Sequence, residues 1–278
     1  MKIQSTPQPS PPSGPVPLSF CILLFPDGTI ERMVDQPLDE YLSAIHEASM
    51  VWIDCCTNDD EKAIEQIART AGFSKIPIPE LATGFWSAYE DCDTGPGIML
   101  PSVTVKIEKI TVRPLFVLIR DTIVITIHSD KINRPLRLSR YVPRFFKRIS
   151  TKNMPDKITP MLERIIEENN DRNFEYLPEI GMPSNATSTS HTEEDIARKK
   201  IAHDIYRMKH VLIDYLNVLW ATKDVVDLLR YGDTDLITND EKLHGRIGIL
   251  SDNIDRPIEL SEQMSTVLSS GLEEAEHL

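Results

Sequence analysis

The feature that most constrains the fold is a repeat of apolar residues that runs unbroken through residues 201–229. Apolar side chains recur at alternating spacings of four and three residues, the a and d pattern of helices that supercoil around one another. The positions are Ile201, Ile205, Met208, Leu212, Tyr215, Leu219, Thr222, Val226 and Leu229, of which only Thr222 is not apolar. At 1.5 Å per residue such a helix is roughly 42 Å long, which is longer than a small domain is wide.

A second helix with the same spacing follows a short turn and predicts an antiparallel helical pair. Its seam is Leu243, Ile247, Leu250, Ile254, Pro257, Ser261, Met264 and Leu268, with Ser261 a weak position. Thr238, with Glu241 three positions later, resembles a capping box at its start. Val211, Val218 and Val225 widen the seam of the first helix beyond what one partner helix can cover. We therefore expect further helices from other copies of the chain.

Residues 18–181 predict an α/β layer architecture, because short apolar strands alternate with helical stretches. Asp27-Gly28 marks a tight turn between the first two strands, since Asp-Gly tolerates the positive φ of such turns. Farther along, two strands are joined so closely at Arg120 and Asp121 that they should form an antiparallel hairpin. The sheet is therefore predicted to be mixed.

The chain divides into four predicted segments. A proline-rich tail, residues 1–17, should be disordered or extended because it holds few side chains that could be buried. The α/β domain takes residues 18–181, with a loop at residues 95–97 suggested by their glycines and proline. A linker of small polar residues takes 182–192, and a stalk of long helices takes 193–278.

The charge balance opposes nucleic-acid binding. With 30 lysines and arginines against 43 aspartates and glutamates, the formal net charge is −13, and phosphate backbones are bound mainly through cationic side chains.

No stretch approaches the roughly 18 consecutive apolar residues of a membrane-spanning helix. No nucleotide-loop, metalloprotease or hydrolase motif occurs, so nothing predicts an enzyme. A catalytic pocket near Tyr89, Glu90 and Asp91 would have no motif behind it.

Four carboxylates in the second long helix form the most suggestive constellation for chemistry. Asp252, Asp255, Glu259 and Glu262 lie three and four residues apart, on the side of the helix roughly opposite its apolar seam. Oxygen ligands suit hard cations such as Mg²⁺, which keep several waters and need few protein ligands. The alternative is a solvated acidic face that includes Arg256.

A basic run falls in the first of two helical stretches predicted near residues 136–150 and 156–170. It comprises Arg134, Arg137, Arg140, Arg144, Lys147 and Arg148, with Phe145 and Phe146 beside it. These side chains could bind phosphate. The alternative is a solvated helix face, or a face that pairs with the acidic long helices.

The order of these parts is similar to the cytoplasmic domain of CorA-type divalent-cation transporters, including the ZntB-like zinc-handling relatives. Trp52-Ile53-Asp54 resembles the family's Trp-Ile-Asp strand ahead of a helix with an acidic start. The hairpin PLFVLIRDTIVITIHSDK resembles the family's edge hairpin, with Thr126 at the family's threonine. IYRMKHVLIDYLNVLWATKDVVDLL is similar to the first long stalk helix, and NIDRPIELSEQMSTVL to the pore-lining helix that follows it.

The resemblance implies an α/β/α sandwich with a mixed sheet, followed by a long antiparallel helical stalk. It also implies a homopentamer that forms a funnel on the cytoplasmic side of the cell membrane, with Mg²⁺, or Co²⁺, Ni²⁺ or Zn²⁺, passing down its axis. In the family the pore-lining helix continues into the membrane, followed by a Gly-Met-Asn signature and a second span. We expect a chain ending at Leu278 to be an excised cytoplasmic portion that senses cations between subunits and regulates the pore.

One departure concerns the regulatory cation site of the family. Members commonly carry an aspartate early in the pore-lining helix, where this sequence has Arg246. The partner acid falls near Leu81, beside Glu80. The resemblance therefore does not transfer that pair of ligands, and the four carboxylates of the second helix are assigned from their spacing alone.

A second reading is a soluble coiled-coil scaffold or adaptor with an α/β head, in which the stalk binds a partner helix. The codons that follow Leu278 distinguish the two readings. Two apolar segments with Gly-Met-Asn between them would select the transporter, and a stop codon would select the scaffold.

Overall fold

The structure, a computed structural model, describes most of the chain. The ranges described are 19–57, 61–73, 88–92, 95–106, 109–132, 134–149, 152–175, 177–180, 194–231 and 237–277. The proline-rich tail, the predicted linker 182–192 and Leu81 lie outside these ranges. The segment boundaries predicted above therefore stay predictions.

The described strands form one mixed sheet. They are β1 Ser19–Leu24, β2 Ile30–Val34, β3 Met50–Thr57, β4 Ala88–Cys92, β5 Gly95–Lys106, β6 Lys109–Arg120 and β7 Ile123–Ser129. Their order in this seven-stranded sheet is β2-β1-β3-β7-β6-β5-β4. β3 and β7 are parallel, and every other neighbouring pair is antiparallel. The prediction of a mixed sheet is confirmed.

Helical layers cover both faces of the sheet. The helices are α1 Leu38–Ser43, a 3₁₀ turn Ala44–Glu47, α2 Glu61–Thr70, α3 Arg134–Ser139, α4 Val142–Ile149, α5 Met154–Phe174, α6 Leu177–Ile180, α7 Glu194–Tyr231 and α8 Glu241–His277. Side chains alternate along a strand, so Phe20 and Ile22 join one hydrophobic core with α5, α7 and α8. Cys21 and Leu23 join the other, with α2. This is the predicted α/β/α sandwich.

Two predicted hairpin turns are present. In the first, the backbone N–H of Gly28, at φ +84°, donates to Phe25 O at 2.9 Å. The Asp27 carboxylate accepts from the N–H of Thr29 at 2.8 Å, which fixes the turn that joins β1 to β2. In the second, Asp121 takes φ +50° between β6 and β7. Aspartate is one of the few residues with a side chain that adopts this conformation readily.

The loop predicted at residues 95–97 is wrong, because β5 begins at Gly95 and runs to Lys106. β4 pairs only with residues 95–99 of it, so among the described strands the outer edge of β5 is open beyond Met99. A proline is tolerated at such an edge because no strand requires its missing N–H. Pro101 lies there, opposite Pro114 of β6.

Two asparagines of α5 bind the open edge of β5. The Asn173 amide accepts from Val103 N–H at 2.8 Å and donates to Pro101 O at 3.0 Å. Asn169 also donates to Pro101 O, at 2.9 Å, and accepts from the Ser102 hydroxyl at 2.6 Å. All of these groups are buried, so the side chains of α5 supply hydrogen bonds that a neighbouring strand would otherwise provide.

The long helices α7 and α8, of 38 and 37 residues, pack against each other in opposite directions. Lys223 contacts Asp255, and His244 bonds Arg230 O at 2.7 Å. The predicted seams are buried through their middle sections, at Leu212, Tyr215, Leu219, Thr222, Val226 and Leu229 of α7 and at Leu243, Ile247, Leu250, Ile254, Pro257 and Ser261 of α8. The hydroxyl of Thr222 donates to Val218 O at 2.9 Å, which satisfies this polar seam position within its own helix.

The expectation that other copies must cover the widened seam is wrong for the middle of α7. This part of α7 packs on β5 and β6 of its own chain, and α5 packs on both β5 and α8. Val218 and Val225 are fully buried by these contacts. The hydroxyl of Tyr215 donates to Asn173 O at 2.9 Å, so α7 is also tied to the end of α5.

The cap of α8 lies two residues beyond the position that the sequence suggested. Asp240, and not Thr238, caps it, because its carboxylate accepts from the N–H groups of Lys242 and Leu243 at 2.9 and 3.0 Å. These hydrogen bonds hold the pKa of Asp240 below its ordinary value. Thr238 instead donates its N–H to Thr159 at 2.9 Å and so ties the α7–α8 connection to α5.

We expect Asn173→Leu to lower the free energy of unfolding by about 1–3 kcal/mol, because buried backbone groups of β5 lose a hydrogen-bond partner. Urea denaturation of the full chain measures this. Asn217→Leu, at an exposed position of α7, is the matched control and should change little. Equal denaturation midpoints for the two variants would contradict the role assigned to Asn173.

Candidate functional site

The first candidate surface is the side of α7 that faces away from the sheet. We call Tyr206, Ile213, Trp220, Leu228 and Tyr231 the α7 outer row. At 100° per residue they fall within an arc of roughly 80° on the helix. All five are exposed, Trp220 by 44% and Tyr231 by 71%. Large apolar side chains aligned on one exposed face are typical of an interaction surface.

The helix α8 has an exposed row of its own, formed by Ile249, Leu260 and Val267. These side chains are 59%, 47% and 70% exposed. They are separated by 11 and 7 residues, so they also lie on one face. The exposed positions between them include Asn253 and Arg256. We call this face the α8 outer row.

The four predicted metal-binding carboxylates divide into two groups. Asp252, Glu259 and Glu262 are exposed on α8. Asp255 instead pairs with Lys223 of α7, whose Nζ lies 2.8 Å from its carboxylate. Among the residues that the structure describes, no three or more histidine, cysteine, aspartate or glutamate side chains are placed to hold a metal ion. The cation site at this stripe stays a prediction.

The ion pair of Asp255 belongs to a small network between the two long helices. Lys223 Nζ also donates to the hydroxyl of Ser251 at 3.0 Å, and that hydroxyl donates to Asp227 at 2.8 Å. Partial burial opposes the charge of Lys223, but the hydrogen bonds and charges of Asp255 and Asp227 raise its pKa. The negative charge of Asp255 is thus balanced by Lys223 of its own chain.

Arg246 forms a polar link between α8 and α5. Its Nε and Nη2 lie 2.9 and 2.7 Å from one carboxylate oxygen of Glu163. Burial raises the pKa of Glu163, and the guanidinium acts in the opposite direction. At the place where the resemblance puts a metal-binding aspartate, this chain therefore carries a guanidinium that is paired with a carboxylate of its own.

The residues that carry the resemblance in the sheet meet in one buried cluster. The indole N–H of Trp52 donates to the hydroxyl of Thr126 at 3.1 Å, and Thr126 donates to Asp54. His128 lies against the other carboxylate oxygen, with Nε2 at 3.2 Å. Asp54 and His128 are 3% and 4% exposed. The parallel register of β3 with β7 places Asp54 directly beside Thr126.

The contacts of the cluster favour an imidazole of His128 that is protonated on both nitrogens. Its Nδ1 lies 2.8 Å from the carbonyl oxygen of Ser129, and its Nε2 faces the Asp54 carboxylate. Both partners are acceptors, whereas a neutral imidazole has only one donor. Burial alone would lower the pKa of His128, but the charge and hydrogen bond of Asp54 raise it above its ordinary value. The sequence did not predict His128 as part of a site. The available signal was that Thr126 and His128 are polar side chains two residues apart, and therefore on one face of an otherwise apolar strand.

No helix in the described ranges combines the length and the apolar character needed to cross a bilayer.

The sequence matches the family described as "CorA-like Mg2+ transporter protein" over residues 47–276. No curated protein sequence matches the chain. The resemblance found from the sequence is confirmed by the family match.

Solved structures share the fold at low sequence identity. The soluble domain of CorA from Methanocaldococcus jannaschii is 17% identical with a TM-score of 0.63, and the match covers 92% of this chain and 96% of that one. The complete CorA magnesium transporter of that organism is 18% identical with a TM-score of 0.66, and the match covers 94% of this chain and 77% of that one. The ZntB cytoplasmic domain from Vibrio parahaemolyticus is 12% identical with a TM-score of 0.61, and the match covers 93% of this chain and 97% of that one.

We predict that the chain loses stability as the pH rises from about 6 to 8. The folded chain holds the proton of His128 more tightly than the unfolded chain, because its pKa lies above the ordinary 6.5. The stabilisation is complete below that value and is lost as the pH rises through the folded pKa. Thermal denaturation across this range should show a steeper decline for the native chain than for His128→Gln.

The upper limit of that range keeps cysteine ionisation out of the measurement. Burial raises the pKa of Cys56 to about 11 and that of Cys21 to about 12. Thiols of the unfolded chain ionise near pH 9, so their contribution begins only above the range. Parallel slopes for the native chain and His128→Gln would contradict the doubly protonated ring.

Proposed function

Because this chain belongs to the CorA-like Mg²⁺ transporter family, we propose that it is the part of a divalent-cation transporter that senses the ion and regulates the pore. One observation carries the proposal. The long helices α7 and α8 share a hydrophobic core with the sheet through their middle sections, while their outer rows are exposed. In the proposed mechanism a helical pair packed on its head in this way would move with it as one unit.

The partner proposed for the outer rows is another copy of the same chain, in an assembly of five. Ile213 and Trp220 of the α7 outer row present large apolar surfaces at mid-helix, and Leu260 and Val267 do so on α8. Exposed rows of large apolar side chains are typical of surfaces that bind a partner. Symmetric copies would bury the same rows in every subunit.

The proposed ion is Mg²⁺ or a related divalent cation such as Co²⁺, Ni²⁺ or Zn²⁺. Asp252, Glu259 and Glu262 project from α8 without a described ion pair, so neighbouring copies would bring like charges together. A hydrated Mg²⁺ ion between them would screen this repulsion, since it keeps most of its waters and needs few carboxylates. Ion occupancy would thereby favour the closed arrangement, and depletion would loosen it.

The proposed location is the cytoplasmic side of a cell membrane. The long helical pair would connect the α/β/α head to the bilayer, through membrane-spanning helices of the kind the family carries. In this arrangement α8 would line the ion path, because its outer row and its free carboxylates lie on exposed faces of one helix.

We expect Mg²⁺ to bind the native chain with measurable heat and to favour its self-association. Asp252→Asn, Glu259→Gln and Glu262→Gln together should abolish both effects, because the ion loses its carboxylates. Calorimetric titration and sedimentation velocity with Mg²⁺ or with EDTA measure them. The matched control replaces Asp39, Glu40 and Glu47, exposed acids on the first helical turns, by Asn, Gln and Gln. Equal heats for both triple variants would remove the cation site from α8.

Transport itself is tested with the product of the complete gene in lipid vesicles that contain a Mg²⁺-sensitive dye. We expect Mg²⁺ uptake that vesicles without protein do not show. An intact protein that stays outside the bilayer, and binds a partner helix through its α7 outer row, would overturn the transporter assignment in favour of the scaffold reading.

A further inference from the structure

A cleft of about 370 Å³ lies between α4 and α5, and its lining includes no residue of the outer rows or of the α8 carboxylates. Its apolar side is formed by Leu138, Val142 and Phe145, of which Val142 is fully buried. Tyr141, 60% exposed, stands at its rim. Its size falls in the range of pockets that hold small organic ligands. Nothing in the proposed transport function uses this cleft.

Two cationic groups of the cleft have no partner in the described part of the chain. Arg144 and Arg148 lie four residues apart on α4 and so project from one face of the helix. No hydrogen bond or ion pair to a described residue involves either guanidinium. By contrast, Arg164 of the opposite wall pairs with Glu167 at 2.5 Å, and Arg137 pairs with Glu168 at 3.4 Å.

The opposite wall, from α5, is acidic. Glu167, Glu168 and Asp171 line it, and no described ion pair engages the Asp171 side chain. Burial, followed by the neighbouring charges of Glu167 and Glu175, raises the pKa of Asp171. A simple anion placed here would gain the two guanidiniums but would also face these carboxylates. The cleft therefore favours a ligand with an anionic end and a hydrogen-bond-donating end, separated by an apolar body.

We propose that this cleft binds a nucleoside phosphate. The phosphate would lie against Arg144 and Arg148, because guanidinium groups bind phosphate oxygens in a bidentate manner. The planar base would pack on Tyr141 and Phe145. The ribose hydroxyls or a base amino group would donate to the carboxylates of α5, with Asp171 the free acceptor. A nucleoside phosphate has all three features, whereas inorganic phosphate and a lipid headgroup have the phosphate without the aromatic ring.

The test is calorimetric titration of the full chain with ATP and AMP, in EDTA and about 0.15 M salt, a concentration that screens weak surface attraction. Working without divalent ions keeps the result independent of the cation site proposed on α8. We expect Arg144→Gln with Arg148→Gln to weaken nucleotide binding about 10- to 100-fold, from the loss of charge-assisted hydrogen bonds. Arg140→Gln with Lys147→Gln, exposed positions of the same segment that do not line the cleft, remove the same charge and should retain binding.

Tyr141→Ala separates ring recognition from phosphate recognition. It should weaken AMP binding and leave the weak binding of inorganic phosphate unchanged. Circular dichroism and the melting temperature establish that each variant is folded. The proposal is overturned if ATP and AMP do not bind at millimolar concentration, or if both double variants weaken binding equally. It is also overturned if inorganic phosphate, or vesicles of anionic phospholipid, bind as tightly as AMP.

Discussion

The packing of one stripe of α7 on the sheet is the interaction on which the rest of the structure depends. Tyr215, Leu219 and Val226 belong to the same hydrophobic core as the strands. Burying side chains of this size contributes roughly 1.5–3 kcal/mol each. Because this stripe is used within the chain, the middle of α7 leaves only its opposite side, with Ile213 and Trp220, available to another molecule. One helix thus serves as the second layer of a sandwich and as an external surface.

The sequence was sufficient for the elements whose pattern is repetitive. The heptad positions of α7 and α8 and the hairpin turns at Asp27-Gly28 and Asp121 all follow from local periodicity and turn chemistry. The sequence could not show which element packs on the seam of α7, because the same spacing of apolar residues suits a helix face that is covered by another helix or by a sheet. Only the start of β5, residues 95–97, was predicted as a loop, because its glycines and Pro96 argue against a strand. The asparagines that bind the edge of β5 near Pro101 are about 70 residues away in the sequence, so local pattern could not show them.

The polar contacts were the least predictable part of the candidate site. Spacing placed Asp255 with three other carboxylates, but the position of Lys223 on the neighbouring helix commits it to an ion pair. Likewise, the sequence showed Arg246 as a departure from the family pattern, and only the fold supplies its partner Glu163. A carboxylate can bind a metal ion only if no cationic side chain of a neighbouring helix already pairs with it. The spacing of residues along one helix contains no information about the side chains of that neighbouring helix.

The asparagines that bind the open edge of β5 affect how copies of this chain can associate. Exposed strand backbone is a template to which a second chain can add its own strand, the first step toward fibrous aggregates. Asn169 and Asn173 occupy that template at Pro101 with side-chain amides, which cannot propagate the pairing. The addition of a strand from another molecule to this part of β5 is thereby blocked.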